Sequence, residues 1–227
     1  VILEFYLAAS IPLFFLLVFL EGEQRRVLAF LVWGLTAGSI AYYANYYLYH
    51  LYASSTVVPS VTIAPVVEEL MKALPLFVLL LVFGRRYTRE LLVLAMASGF
   101  GFAILENYVY VSQYDFAGIG SIVYVIMRGV TTSVMHGCMT AIIGYGIFLT
   151  YGFNRRSLPS ILFGLYTVAI TIHALFNLLI GYTGIGKLLA IDLPLLLFAA
   201  LLIVYNWDVL FPKPPDLEIL SETEAMG

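Results

Sequence analysis

The chain has 227 residues, of which 62% are hydrophobic and only 11% charged, with a mean hydropathy of +0.98. That composition lies far outside the soluble globular range and excludes a water-soluble enzyme. A net charge of −3 says little for a membrane chain, no basic tract suggests a nucleic-acid partner and none is expected, and a single cysteine, Cys138, excludes an internal disulfide or dithiol redox motif.

The apolar runs predict an all-α, polytopic membrane helix bundle. Crossing a ~30 Å hydrocarbon core takes about 20 helical residues. Runs of that order cover residues 1–20, 27–51, 61–83, 91–113, 119–151, 157–181 and 188–207, about seven spans with a range of six to eight. The first has no basic leader and is too long for a signal-peptide core, so it is expected to be a retained helix. The second contains Gly34-Leu35-Thr36-Ala37-Gly38, a small-residue spacing suited to helix contact. It ends in Tyr42, Tyr43, Tyr46, Tyr47, Tyr49 and Tyr52, expected to form an aromatic belt at the headgroups.

The third span carries Glu68-Glu69-Leu70-Met71-Lys72, with Lys72 one helical turn from both acids and able to neutralise either. The fourth places Ala97 and Gly101 at packing distance, then Phe102-Ala103-Ile104-Leu105-Glu106-Asn107. Its Gly99-Phe100-Gly101 follows no strand, so it is no phosphate loop and no nucleotide partner is expected. The fifth aligns Arg128, Thr132 and His136 on one face, and its length predicts a tilt or a break near Gly137, Gly144 or Gly146. The sixth pairs His173 with Asn177, four residues apart. Residues 1–211 are expected to form one transmembrane domain with a motif core at 61–181, followed by a short acidic tail at 212–227.

Eight of the eleven basic residues follow odd-numbered spans: Arg25, Arg26, Arg85, Arg86, Arg89, Arg155, Arg156 and Lys213; only Lys187 falls in an intervening loop. The positive-inside rule then puts the C-terminus in the cytoplasm and the N-terminus outside, in a multi-pass cell-membrane protein.

The remaining two cations, Lys72 and Arg128, lie within the spans with Glu68, Glu69, Glu106, Asn107, His136, His173 and Asn177. A charge near the centre of a spanning helix costs roughly 2.5–3.5 kcal/mol. A buried ion pair, or Asn acting as helix glue, accounts for any one of these residues alone. At about 1.5 Å rise per residue, Glu68 and Glu106 each lie about 10 Å, and His173 about 12 Å, below the outer ends of their helices. His136 joins that level, at about 12 Å, if Arg128 snorkels at the outer interface. Convergence on one level points to chemistry, and one carboxylate remains in excess after Lys72 and Arg128 act as counter-ions.

Peptide hydrolysis needs an activated water, a base and a donor or cation for the oxyanion. Glu68 or Glu69 is a candidate base, His173 and Asn177 are candidate donors, and Arg128 balances charge. Alternatively Glu106, His136 and His173 form a zinc-type ligand set, leaving Glu68 or Glu69 as the base. His50 and Cys138 are expected to have no catalytic part.

These four elements, EExxK at 68–72, FxxxEN at 102–107, His136 and HxxxN at 173–177, resemble the PrsW family of intramembrane proteases. The resemblance implies cleavage of a membrane-anchored protein, such as an anti-sigma factor, near the extracytoplasmic side. It also implies Glu68, Glu69, Glu106, His136 and His173 as catalytic residues, with Lys72, Asn107, Arg128 and Asn177 in support. More distantly the chain resembles the CAAX prenyl protease and bacteriocin-processing superfamily, with Glu106 standing where that group has His. Because of that departure and the additional His136, the metal-free glutamate mechanism of that group does not simply carry over; zinc is favoured slightly, with a metal-free mechanism and a CAAX-type activity as the alternatives. An ion- or proton-coupled transporter is the rival from another class, although no internal repeat accompanies the motifs.

Overall fold

A computed structural model of the chain describes residues 2–52, 58–83, 90–113, 119–149 and 155–206. Its elements are α1 (Ile2–Phe19), α2 (Gly22–Leu51), the short α3 (Pro59–Thr62), α4 (Ala64–Phe83), α5 (Glu90–Ser112), α6 (Ile119–Leu149), α7 (Leu158–Ile180) and α8 (Ile185–Tyr205). Among the described residues there is no strand, and α1, α2 and α5 to α8 are long and apolar enough to cross a membrane. The 20-residue α4 has comparable length but carries Glu68, Glu69 and Lys72 in place of hydrocarbon. The chain is a polytopic all-α membrane bundle. Arg85, Arg86, Arg89, Lys213 and the acidic tail at 212–227 lie outside the described residues.

The polarity is that of a membrane protein turned outward. Large apolar side chains such as Phe15, Phe19, Ile119 and Phe163 are exposed, while Glu69, Lys72 and His136 are completely buried. Hydrocarbon solvates the first group at no cost, whereas charges in lipid must find partners inside the bundle.

Two predicted features differ in detail. The third run is divided at Ile63, because Pro65 has no N–H to donate to the Val61 carbonyl and α4 restarts with this proline in its first turn. The long fifth run is one unbroken helix, α6. Its glycines serve close packing instead: a side chain at Gly137 would collide with the Phe100 ring, and one at Gly144 with Ala95 and the Leu91 backbone.

Helix α5 is the central stave, packed against α2 on one side and α6 on the other. A Cβ at Gly34 would strike the Ser98 carbonyl and one at Gly101 the Leu31 carbonyl, so α2 and α5 touch backbone to backbone. Beside them, Leu76, Leu94, Met135, Met139, Ile143 and Phe176 join α4 to α7 in the main apolar core. Peripheral α1 docks through a Tyr6 to Thr36 hydrogen bond of 3.1 Å and a Phe5–Tyr108 ring stack. At one end of the bundle Arg26 pairs with Glu90 at 2.5 Å, bringing the starts of α2 and α5 together.

Candidate functional site

The buried charges of α4, α5, α6 and α7 meet in one connected cluster. Lys72 Nζ lies 2.6 Å from Glu69 Oε1, and the same oxygen accepts from His173 Nδ1 at 2.6 Å. Lys72 Nζ also lies 2.8 Å from His136 Nδ1. On the other side of that ring, Nε2 is 2.8 Å from Glu106 Oε2, which receives Arg128 Nη2 at 3.3 Å. The Arg128 guanidinium stacks 3.6 Å over Tyr110, an arrangement its planar cation suits better than lysine would.

The pairing identifies the excess carboxylate. Glu69 has Lys72 and Glu106 has Arg128, whereas among the described residues no Lys or Arg pairs with Glu68. Glu68 instead accepts a 3.1 Å hydrogen bond from Asn45 Nδ2 on Oε1, while Oε2 is buried without a hydrogen bond, 3.6 Å from His173 Nε2.

The histidines sit edge to face with ring centres 5.1 Å apart. Each has a carboxylate on one nitrogen, Glu69 on His173 Nδ1 and Glu106 on His136 Nε2. This is the outer-shell pattern that orients metal-binding imidazoles. Glu68, His136 and His173 each offer a ligand atom within 4.8 Å of the others and form a group that could hold a metal, while Glu106, expected in such a set, lies against His136 Nε2 and Arg128. A donor set of two imidazoles and one carboxylate suits zinc. The 3.6 Å gap between Glu68 Oε2 and His173 Nε2 is close to the roughly 3.3 Å between neighbouring ligands in a tetrahedral site with bonds of about 2.0–2.1 Å. Because both nitrogens of His136 are engaged, taking up a cation there exchanges its contact with Lys72 or with Glu106.

Two expected supporting residues also make contacts outside the charged cluster. Asn107 Nδ2 donates to Ser133 Oγ at 3.2 Å and joins α5 to α6; Asn177 Nδ2 donates to the Ser60 carbonyl at 2.8 Å and holds α3 against α7. Both act as helix glue in these contacts. Cys138 is buried in the apolar core and His50 packs edge-on against Tyr46.

Two cavities reach the cluster, and Glu106 and Tyr110 border both. The larger, of about 520 Å³, lies between α6, α7 and α8 and is lined by Met127, Thr132, His136, Phe176, Asn177 and Ile191. Residues Ile122 to Met127 of α6 are exposed and burial sets in at Thr131, so the first turns of α6 wall this cavity while His136 sits level with Glu106. The smaller, of about 250 Å³, is lined by Tyr42, Asn45, Tyr46, Tyr49, Glu68 and Glu106 among others.

The tyrosine run is therefore divided in function. Tyr43, Tyr47 and Tyr52 face outward as a belt would, Tyr42 and Tyr49 wall the cavity at Glu68, and the exposed Tyr46 stands at its rim. Sequence reasoning missed Asn45; the available signal was its placement with Tyr42, Tyr46 and Tyr49 on one face at helical spacing.

In a comparison with protein families, the model of the PrsW family intramembrane metalloprotease matches residues 23–205, most of the chain. No curated protein and no solved structure matches it.

Proposed function

The chain belongs to the PrsW family of intramembrane metalloproteases, and from this premise we propose that it cleaves a membrane-anchored protein, such as an anti-sigma factor, near the extracytoplasmic side. It is an intramembrane protease embedded in lipid, so its substrate shares the membrane. The observation that carries the proposed chemistry is the grouping of Glu68, His136 and His173, with the Glu69 carboxylate behind the His173 imidazole.

These three residues would hold the metal. A divalent cation such as zinc supplies Lewis-acid polarisation and a more acidic water. The larger cavity admits the substrate, its Met127, Phe176 and Ile191 suiting apolar side chains and its His136 and Glu106 meeting the peptide bond. Glu106 is the base in this reading, because it borders both cavities and is the most exposed of the three acids. It takes a proton from water as the water oxygen bonds to the carbonyl carbon, then returns that proton to the nitrogen as the C–N bond breaks. Arg128 offsets the negative charge that develops on the carbonyl oxygen. Lys72 and Glu69 hold the two histidines in register from within.

The distribution of basic residues supports an outside N-terminus and a cytoplasmic C-terminus, which reporter fusions at each end would test. For the chemistry, Glu68→Gln and Glu106→Gln are each expected to abolish cleavage of a co-expressed single-span substrate while leaving membrane insertion intact. Full cleavage by the double variant would sink the proposed mechanism.

A further inference from the structure

We propose that Asn45, which lies outside all four motifs, is a positioning residue for Glu68. The inference rests on the reading of Glu68 as a working group of the protease site. Asn45 and Glu68 are 9% and 8% exposed, and the Asn45 Nδ2 to Glu68 Oε1 hydrogen bond of 3.1 Å spans from α2 to α4. No Lys or Arg among the described residues competes for Glu68, so the carboxamide supplies the bond that fixes one carboxylate oxygen. With Oε1 tied down, Oε2 is left 3.6 Å from His173 Nε2.

The arrival of Asn45 at this place follows from its helix. Gly34, Gly38, Ala41 and Asn45 recur every three or four residues along one face of α2. The absence of side chains at Gly34 and Gly38 lets α2 press against α5, where Gly34 meets Ser98 and Phe102 and Gly38 meets Leu105. A helix held that close brings a short carboxamide within reach of the neighbouring α4.

The setting of the pair argues for more than helix glue. Asn45 Oδ1 and Glu68 Oε2 are both buried and without a hydrogen bond. Asn107 Oδ1 is unpaired as well, so what sets this pair apart is that Glu68 Oε2 faces His173 Nε2. Both residues line the tyrosine-walled cavity, which gives a water or a cation access to Glu68.

The experiment compares wild type with Asn45→Leu, near in size but without a donor, and Asn45→Asp, equal in shape but with an acceptor facing Glu68. Zn²⁺ affinity is measured in detergent by competition with a chromophoric chelator, alongside kcat and KM for a single-span substrate and thermal unfolding of metal-free protein. Both variants are expected to lose about 10- to 100-fold in Zn²⁺ affinity and in kcat, the usual loss for an outer-shell partner. KM, and the unfolding temperature of Asn45→Leu, are expected to stay near wild type. Wild-type Zn²⁺ affinity and kcat in Asn45→Leu would overturn the proposal. If the wild type cleaves without binding Zn²⁺, kcat alone decides: its fall at unchanged KM supports the positioning role, and its constancy overturns it. The Zn²⁺ arm needs no substrate, so cleavage absent even from wild type counts against the protease mechanism while the affinities still decide Asn45. A wild type that neither binds Zn²⁺ nor cleaves overturns both.

Discussion

Lys72 and His136 are joined across the interface of α4 and α6, with the ammonium nitrogen 2.8 Å from imidazole Nδ1. The same ammonium is the cation for the fully buried Glu69, at 2.6 Å. Removing one partner of a buried ion pair leaves an uncompensated charge and costs about 3–5 kcal/mol, whereas replacing both is far less harmful. Lys72→Met is therefore expected to lower stability by about that amount, and Glu69→Gln/Lys72→Met to recover most of it. Denaturant unfolding in detergent measures both; a Lys72→Met protein as stable as wild type would show that the ammonium does not hold Glu69.

Metal removal separates the two mechanisms left open by the sequence. Chelation is expected to stop cleavage and added zinc to restore it, while His173→Ala is expected to lose the metal on elemental analysis. Glu69→Gln leaves the ligand set intact but weakens the acceptor behind His173 Nδ1, so its expected loss of metal affinity is about 10- to 100-fold. Activity that survives exhaustive chelation, in protein free of metal by elemental analysis, would establish the metal-free glutamate mechanism.

Arg128 tests whether shape matters as well as charge. Its guanidinium both meets Glu106 at 3.3 Å and stacks 3.6 Å over Tyr110. Lysine keeps the charge but loses the planar stack and the fork. Arg128→Lys is expected to lower kcat/KM by roughly 10-fold and Arg128→Leu by roughly 100-fold, in line with about 1.5–3 kcal/mol for a hydrogen bond to a charged group. Equal rates for Arg128→Leu and wild type in a purified cleavage assay would remove Arg128 from the site.

The residues that betrayed the site in the sequence were those that hydrocarbon penalises most. Glu68, Glu69, Lys72, Glu106, Arg128, His136 and His173 stood out because lipid tolerates no idle charge, and the structure gathers them. Partner choice was less legible, since helical spacing places Lys72 equally near Glu68 and Glu69, and only the packing of α7 and α2 assigns it to Glu69. Asn107 and Asn177 share motifs with ionised groups, yet their amides also satisfy neighbouring helices, which spacing cannot distinguish. Asn45 was hidden by its neighbours: an uncharged amide among interfacial tyrosines carries no insertion penalty large enough to draw notice.

The small-residue contacts should rank by what a new methyl group would meet. At Gly34 and Gly101 it would collide with a carbonyl of the facing helix, whereas at Gly120 and Gly129 nothing lies within 4 Å. Backbone cannot rotate aside as a flexible side chain can, so α2 must separate from α5. Overpacking of this kind costs typically about 1–3 kcal/mol, and here it also withdraws Asn45 from Glu68. Gly34→Ala and Gly101→Ala are expected to lower the unfolding temperature and to reduce cleavage further than the stability loss explains, because the α2 wall of the site moves with the helix. Gly120→Ala and Gly129→Ala, both in α6, are expected to unfold at or above the wild-type temperature, since alanine favours the helix by about 1 kcal/mol over glycine. Thermal unfolding of the four variants in one detergent, paired with cleavage rates, distinguishes the two classes; equal behaviour would mean that α2 and α5 do not depend on that backbone contact.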